Sequence, residues 1–262
     1  MNFKVGDYVT RISHNHDIVF KIIGIKEDTV YLQGVNVRLC ADSIFNDLVL
    51  YQDSIDFDDY DIIERNMQDL EIDRDHYFYI PGKILHIDGD DDYLNRCMKF
   101  YENMGIRANG ISLKENVIST KIRSLIEEYR PDIIVITGHD AYYSKRNNKE
   151  DLNNYENSIN FIKAIKEARK IEKSQDKLII VAGACQSNYE ELIRAGANFA
   201  SSPKRINIHA LDPAIVAASL AFSNKNKLID VIKLIEKTKY GSAGMGGIIT
   251  NGTMYVGYPR WI

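Results

Sequence analysis

Over residues 3–50, apolar and polar positions alternate with a period near two, the pattern of half-buried strands. FKVGDYVTRI, IVFKIIGI and TVYLQGV are short, rich in Val, Ile and aromatic residues, and punctuated by Gly6–Asp7, Glu27–Asp28 and Gly34. This predicts a small SH3-like β-barrel of about five strands over residues 1–52. From Pro81 onward the period changes. KILHIDG (83–89), IRANGIS (106–112), DIIVIT (132–137), KLIIVAGA (177–184) and NFASS (198–202) predict strands. Between and after them, 92–105, 115–130, 154–172, 188–196, 213–223 and 226–239 predict helices, with Pro131 and Gly196 as stops. DIIVIT and KLIIVAGA are almost wholly apolar, as expected of parallel strands covered on both faces. Strands alternating with helices of this length predict an α/β domain with a right-handed parallel sheet over residues 81–262. The tail IITNGTMYV (248–256) predicts a hairpin about Asn251–Gly252. Gly241, Gly244, Gly246 and Gly247 predict a flexible loop over a groove, without the lysine or the strand-before, helix-after setting of a phosphate-binding loop.

Between the two patterns, residues 53–75 hold ten acidic side chains against Arg65 and Arg74. Such a run reads as solvated, so residues 53–80 are expected to be an acidic linker. The whole chain has 262 residues and a formal net charge of −4, which does not favour nucleic acid as a partner. No apolar run reaches the roughly 20 residues that span a bilayer, and MNFKVGDYV lacks the basic start and apolar core of a secretory signal. Cys40, Cys97 and Cys185 are too few and too scattered for a disulfide framework, which fits synthesis in a reducing cytoplasm. The histidines are dispersed and no Cys-x-x-Cys occurs, so neither a metal nor another cofactor is expected.

In an open parallel sheet, reactive groups collect beyond the carboxyl ends of the strands. DIIVIT runs into Gly138–His139–Asp140, and KLIIVAGA runs into Cys185–Gln186–Ser187. If these strands are neighbours, about 4.8 Å apart, His139 and Cys185 share one small volume. Taken singly, each residue reads as an ordinary core or polar position. Together they offer a thiol and the imidazole that can take its proton. Backbone amides at Gly138 and Cys185 are the candidate oxyanion donors. Asp140 follows His139 directly, and neighbours in extended chain point to opposite sides, so Asp140 is not expected to orient the imidazole. His86, inside a strand, reads as structural, and Cys40 and Cys97 read as packing. Asp88, Asp90, Asp91 and Asp92 follow the first strand of the α/β domain, with Asp92 expected to cap the next helix.

An apolar strand closing on Gly–His, then one closing on Ala–Cys, resembles the caspase, legumain, gingipain and clostripain group of cysteine peptidases. The order in that group is usually His then Gly; here Gly138 precedes His139. PGKILHIDGD, YRPDIIVITGHD, AGACQSNYE and RAGANFASSPKRINIHALDP resemble, more closely, the YabG family of sporulation-specific proteases from spore-forming bacteria. The resemblance implies a caspase-like sheet with flanking helices and a Cys185–His139 dyad. It implies spore coat and cortex-related protein substrates, cleavage after arginine, and a place in the sporulating cell's cytoplasm or on the spore coat. Asp88 and Asp90 are then candidates for a pocket that takes the arginine. Ser201, Ser202 and His209 are candidates for the groove wall, with His209 equally suited to a buried hydrogen bond. Two rivals stay open: a Cys–His amidotransferase, disfavoured by Ala184 and Gln186 where it would carry glycines, and a non-enzymatic coat scaffold binding through the barrel.

Overall fold

The computed structural model describes residues 3–53, 55, 57, 59–68, 76–143 and 148–259. Contacts divide the chain into two units, Met1–Asp58 and Asp59–Ile262. Part of the expected linker belongs to elements of the second unit: helix α1 (Asp59–Gln68) and strand β6 (Phe78–Ile80). Residues 54, 56, 58 and 69–75 of that stretch lie outside the described residues.

In the first unit, β1 (Tyr8–Arg11), β2 (Phe20–Lys26), β3 (Thr29–Gly34), β4 (Cys40–Ile44) and β5 (Leu48–Leu50) form an antiparallel sheet in the order β4-β3-β2-β1-β5. Val9, Phe20, Ile22, Val30, Leu32 and Leu48 alternate onto one buried face. The expected closed barrel is not seen among the described residues: β5 pairs with β1, and β4 stays at the opposite edge. A three-residue turn, Phe45–Asp47, separates β4 from β5. Cys40 lies on that edge strand and is exposed, contrary to its expected packing role, because β4 alternates between exposed and half-buried positions.

The second unit carries a six-stranded sheet in the order β12-β11-β10-β9-β7-β8 among the described residues. Its strands are β7 (Ile84–Asp88), β8 (Ala108–Ser112), β9 (Ile133–Thr137), β10 (Ile179–Ala182), β11 (Phe199–Ser201) and β12 (Met245–Gly247). All pair in parallel except β12, which runs antiparallel to β11. The helices are α2 (Asp91–Asn103), α3 (Glu115–Tyr129), α4 (Ser158–Ile171), α5 (Tyr189–Arg194), α6 (Asp212–Ala221) and α7 (Val231–Glu236). Successive residues of β9 serve opposite layers. Ile133 and Val135 pack with Phe100, Tyr101 and the apolar face of α6, whereas Ile134 and Ile136 pack with Ile118, Ile122 and Phe161. All four are fully buried, and each such side chain contributes about 1.5–3 kcal/mol of transfer free energy. Two layers of helix over a continuous apolar sheet follow directly from that composition.

Two expectations for the C-terminal stretch are corrected. Gly246 and Gly247 belong to β12 and face Ala200 and Phe199 across the ladder. A Cβ on Gly247 would lie 2.3 Å from the Phe199 ring, so glycine here serves a close approach at the sheet edge. Nor does IITNGTMYV fold back on itself. Asn251 bridges to Leu228 and Met254 to Asn224, while β13 (Tyr255–Gly257) pairs with distant β6. Tertiary partners outcompete the local turn preference of Asn–Gly.

Candidate active site

Strands β7, β9 and β10 are adjacent and parallel, with Asp88 opposite Thr137 and Ile136 opposite Ala182. Their carboxyl ends therefore open on one edge, where Gly89, Gly138 and Gly183 follow one another across the sheet. The β9 end leads into His139 and the β10 end into Cys185, on neighbouring strands. Thr137 Oγ1 ties the two ends by donating to the carbonyl of Gly183 at 2.9 Å.

The backbone of His139 is fixed by a residue the sequence did not single out. Glu115, at the start of α3, is 9% exposed, and its Oε1 accepts the His139 N–H at 2.8 Å. A Cβ on Gly89 would sit 2.2 Å from that oxygen, and one on Gly138 2.3 Å. Two glycines at corresponding positions of neighbouring strands thus make room for one buried carboxylate. The paired glycines were a visible signal, but the glutamate between them was not, because a charged residue opening a helix is ordinary.

The His139 imidazole is oriented by Asp90. Nε2 and Asp90 Oδ2 are 2.9 Å apart, and the Tyr93 ring lies 5.7 Å from the imidazole. The other oxygen of Asp90, Oδ1, accepts the Tyr93 N–H at 3.0 Å and so caps α2. The cap is Asp90 and not Asp92: the chain is still extended at Asp90, with φ −127° and ψ 121°, and turns helical at the next residue. Burial pushes the Asp90 carboxyl up, but the hydrogen bonds from His139 and Tyr93 outweigh it and hold the group below the usual carboxylate range. A carboxylate can only accept, so the proton of the 2.9 Å contact sits on Nε2, and in the neutral imidazole the lone pair is then on Nδ1.

Asp88 is fully buried behind this pair. Its Oδ1 accepts the Asp90 N–H at 3.0 Å, and its Oδ2 lies 3.6 Å from His86 Nε2. His86 Nδ1 in turn meets Tyr101 Oη at 2.9 Å within the core.

Cys185 occupies a tight turn in which Gly183 (φ 101°) and Gln186 (φ 57°) are both left-handed. Gly183 is required twice over, since a Cβ there would also lie 2.4 Å from Ser201 Oγ. The thiol is fully buried among the residues packed on α6, accepts the Ile208 N–H at 3.3 Å, and lies 3.9 Å from the Ile208 carbonyl. The chain 206–208 therefore crosses directly over it. Gln186 N–H donates to the Ile206 carbonyl at 3.0 Å.

Ser201, Ser202 and His209, the candidates for the groove wall with His209 equally suited to a buried hydrogen bond, all sit inside. Ser201 and Ser202 are fully buried and His209 is 1% exposed. Ser201 Oγ donates to the Ala184 carbonyl at 2.7 Å, and Ser202 Oγ donates to Ile206 at 2.6 Å while accepting the Gln186 N–H at 3.1 Å. His209 Nδ1 accepts the Leu211 N–H at 3.1 Å, and its own N–H donates to Asp212 Oδ2 at 2.9 Å. Their hydroxyls and ring shape the cysteine turn and the segment above it. Asp140 also turns away from the imidazole: its carboxylate accepts from Ala141, Asn157, Ser158 and Ser187, and burial pushes it up despite those donors.

Among the described residues no group of three or more His, Cys, Asp or Glu side chains could hold a metal ion, and no helix is long and apolar enough to cross a membrane. Residues 4–259 match the profile of the family described as YabG peptidase U57. The chain is 40% identical, over 286 aligned residues and 99% of each chain, to the sporulation-specific protease YabG of Bacillus subtilis (strain 168).

Proposed function

This chain belongs to the YabG peptidase U57 family and is a protease, and from that premise we propose that it is a cysteine endopeptidase acting through Cys185 and His139. The observation that carries the reading is the adjacency of β9 and β10, which end in the only histidine–cysteine pair on neighbouring strand ends among the described residues. The pairing order and the layers of helix agree with a caspase-like sheet.

In this mechanism Asp90 keeps the proton of His139 on Nε2, and Nδ1 takes the thiol proton of Cys185. The thiolate attacks the scissile carbonyl, and the backbone amides of Gly138 and Cys185 receive the oxyanion. The protonated imidazole then delivers its proton to the leaving amine, and water releases the acyl-enzyme. Because the thiol lies fully buried beneath residues 206–208, substrate binding must displace that segment before attack.

Asp88 is the carboxylate proposed to receive the arginine. It lies on the sheet face that also carries His86 and, two strands away, Cys185, and its neighbour on β9 is Thr137. Asp90, the other candidate, is engaged by His139 and serves the histidine instead. The substrates proposed are spore coat and cortex-related proteins, met in the cytoplasm of the sporulating cell or on the coat. The sporulation role named for the Bacillus subtilis relative supports that assignment.

An arginyl peptide carrying an electrophilic ketone tests the reading, with mass spectrometry to locate the adduct. The expected result is modification of Cys185 and loss of both labelling and cleavage in Cys185→Ala. An adduct on Cys40 or Cys97, or full cleavage by Cys185→Ala, would sink it.

A further inference from the structure

We propose that Asp140 is a positioning residue, holding the Cys185 turn at a fixed separation from His139 through the hydroxyls of Ser187 and Ser158. The inference rests on the assignment of Cys185 and His139 as the reacting pair. Asp140 follows His139 in the chain, so its backbone belongs to the histidine's loop. Oδ1 pins that loop locally, accepting Ala141 N–H at 3.0 Å and Asn157 N–H at 2.7 Å. Oδ2 faces the other loop and accepts Ser158 Oγ at 2.5 Å and Ser187 Oγ at 2.8 Å.

Each hydroxyl passes the constraint on. Ser187 Oγ accepts the Ala184 N–H at 2.9 Å, and Ser158 Oγ accepts the Asn188 N–H at 2.8 Å. Ala184 and Asn188 bracket the turn Cys185–Gln186–Ser187. One carboxylate oxygen therefore holds both feet of the nucleophile's turn, while the other fixes the loop that carries the base.

Burial argues against a role in stability alone. Asp140 is 3% exposed, and Ser158 and Ser187 are fully buried. A carboxylate taken out of water is costly, and apolar residues of similar volume commonly serve stability as well or better. Burial does push the Asp140 carboxyl up, so the group is kept against a real opposing force. What the polar bridge adds is a defined register between two loops that each carry a reacting group. Catalysis is sensitive to that register: a 1 Å misplacement can cost about 100-fold in rate.

The test compares Asp140→Asn, Ser187→Ala, Ser158→Ala and Cys185→Ala in the full chain, using an arginyl peptide, active-site titration and thermal melting. Expected are losses in kcat of about 10- to 100-fold for Asp140→Asn and Ser187→Ala, with KM held within about 2-fold. Combining Asp140→Asn with Ser187→Ala should be no worse than Asp140→Asn alone, because both substitutions break the same connection. A merely structural residue would lower the melting temperature and leave kcat per titrated site unchanged. If Asp140→Asn does not fold, Ser187→Ala decides, since it leaves the carboxylate its other donors. A kcat within about 3-fold of wild type in the folded variants, or a change confined to KM, overturns the inference. Activity in Cys185→Ala would instead overturn the assignment of the nucleophile, which separates the two failures.

Discussion

Replacing Asp90 by Asn isolates the orientation of His139 from the stability of α2. Asn and Asp cap helices about equally well, so the Tyr93 N–H keeps an acceptor and the helix start should change by no more than a few tenths of a kcal/mol. What changes is the contact to the imidazole at 2.9 Å. The carboxylate can only accept, whereas an amide can present N–H, which meets Nε2 only when Nε2 is unprotonated. The favoured tautomer would then carry its proton on Nδ1, the nitrogen proposed to act as base. A hydrogen bond to a charged group is worth about 1.5–3 kcal/mol, equivalent to about 10- to 150-fold in rate. His139 is 20% and Asp90 11% exposed at the side chain, so solvent screening places the expected loss in kcat/KM toward about 10- to 50-fold. Steady-state cleavage of an arginyl peptide, read beside thermal melting at the same pH, measures both effects. The held-down carboxyl of Asp90 supplies stability above its unfolded pKa, and that contribution is lost as pH falls through the folded value. The melting difference between wild type and Asp90→Asn should accordingly shrink on acidification. A variant with kcat/KM within about 3-fold of wild type would refute the orienting role.

His86→Ala should behave in the opposite way. The loss of the Tyr101 hydrogen bond and of buried ring volume should lower stability by about 2–4 kcal/mol, with kcat for the folded fraction within a few-fold; denaturant titration and activity on the same samples check this. Asp88→Asn should cut kcat/KM for arginyl peptides by about 100-fold or more, because a guanidinium left without its carboxylate partner is expensive to bury. Matched arginine and lysine peptides make the measurement, and unchanged arginine preference would place the pocket acid elsewhere.

The candidate pair was legible because its placement depends on local order. An apolar run of four or five residues ends where glycine and polar residues begin, and His139 and Cys185 stand just past two such ends. The partners of that pair were not legible. Asp88 ends β7 and three more aspartates follow it, and nothing local separates the one that caps α2 and reaches His139 from the other three. Glu115 comes to His139 from the far end of a crossover, and Asp140 reaches the cysteine turn through two serines from different elements.

The same division runs through the fold. Periodicity and composition alone determined the alternation of strands and helices from Pro81 as far as α7, because burial on both faces demands apolar strands and amphipathic helices whatever their neighbours are. Pairing across long stretches of chain was decided only by the tertiary structure. It left the N-terminal sheet open, with β5 on β1. It drew a glycine-rich segment into β12 beside Phe199 and gave β13 to β6 instead of a local hairpin. A strand's own residues specify that it needs a partner and which face is apolar. Which partner it finds depends on the geometry of everything packed before it, and no single segment carries that information.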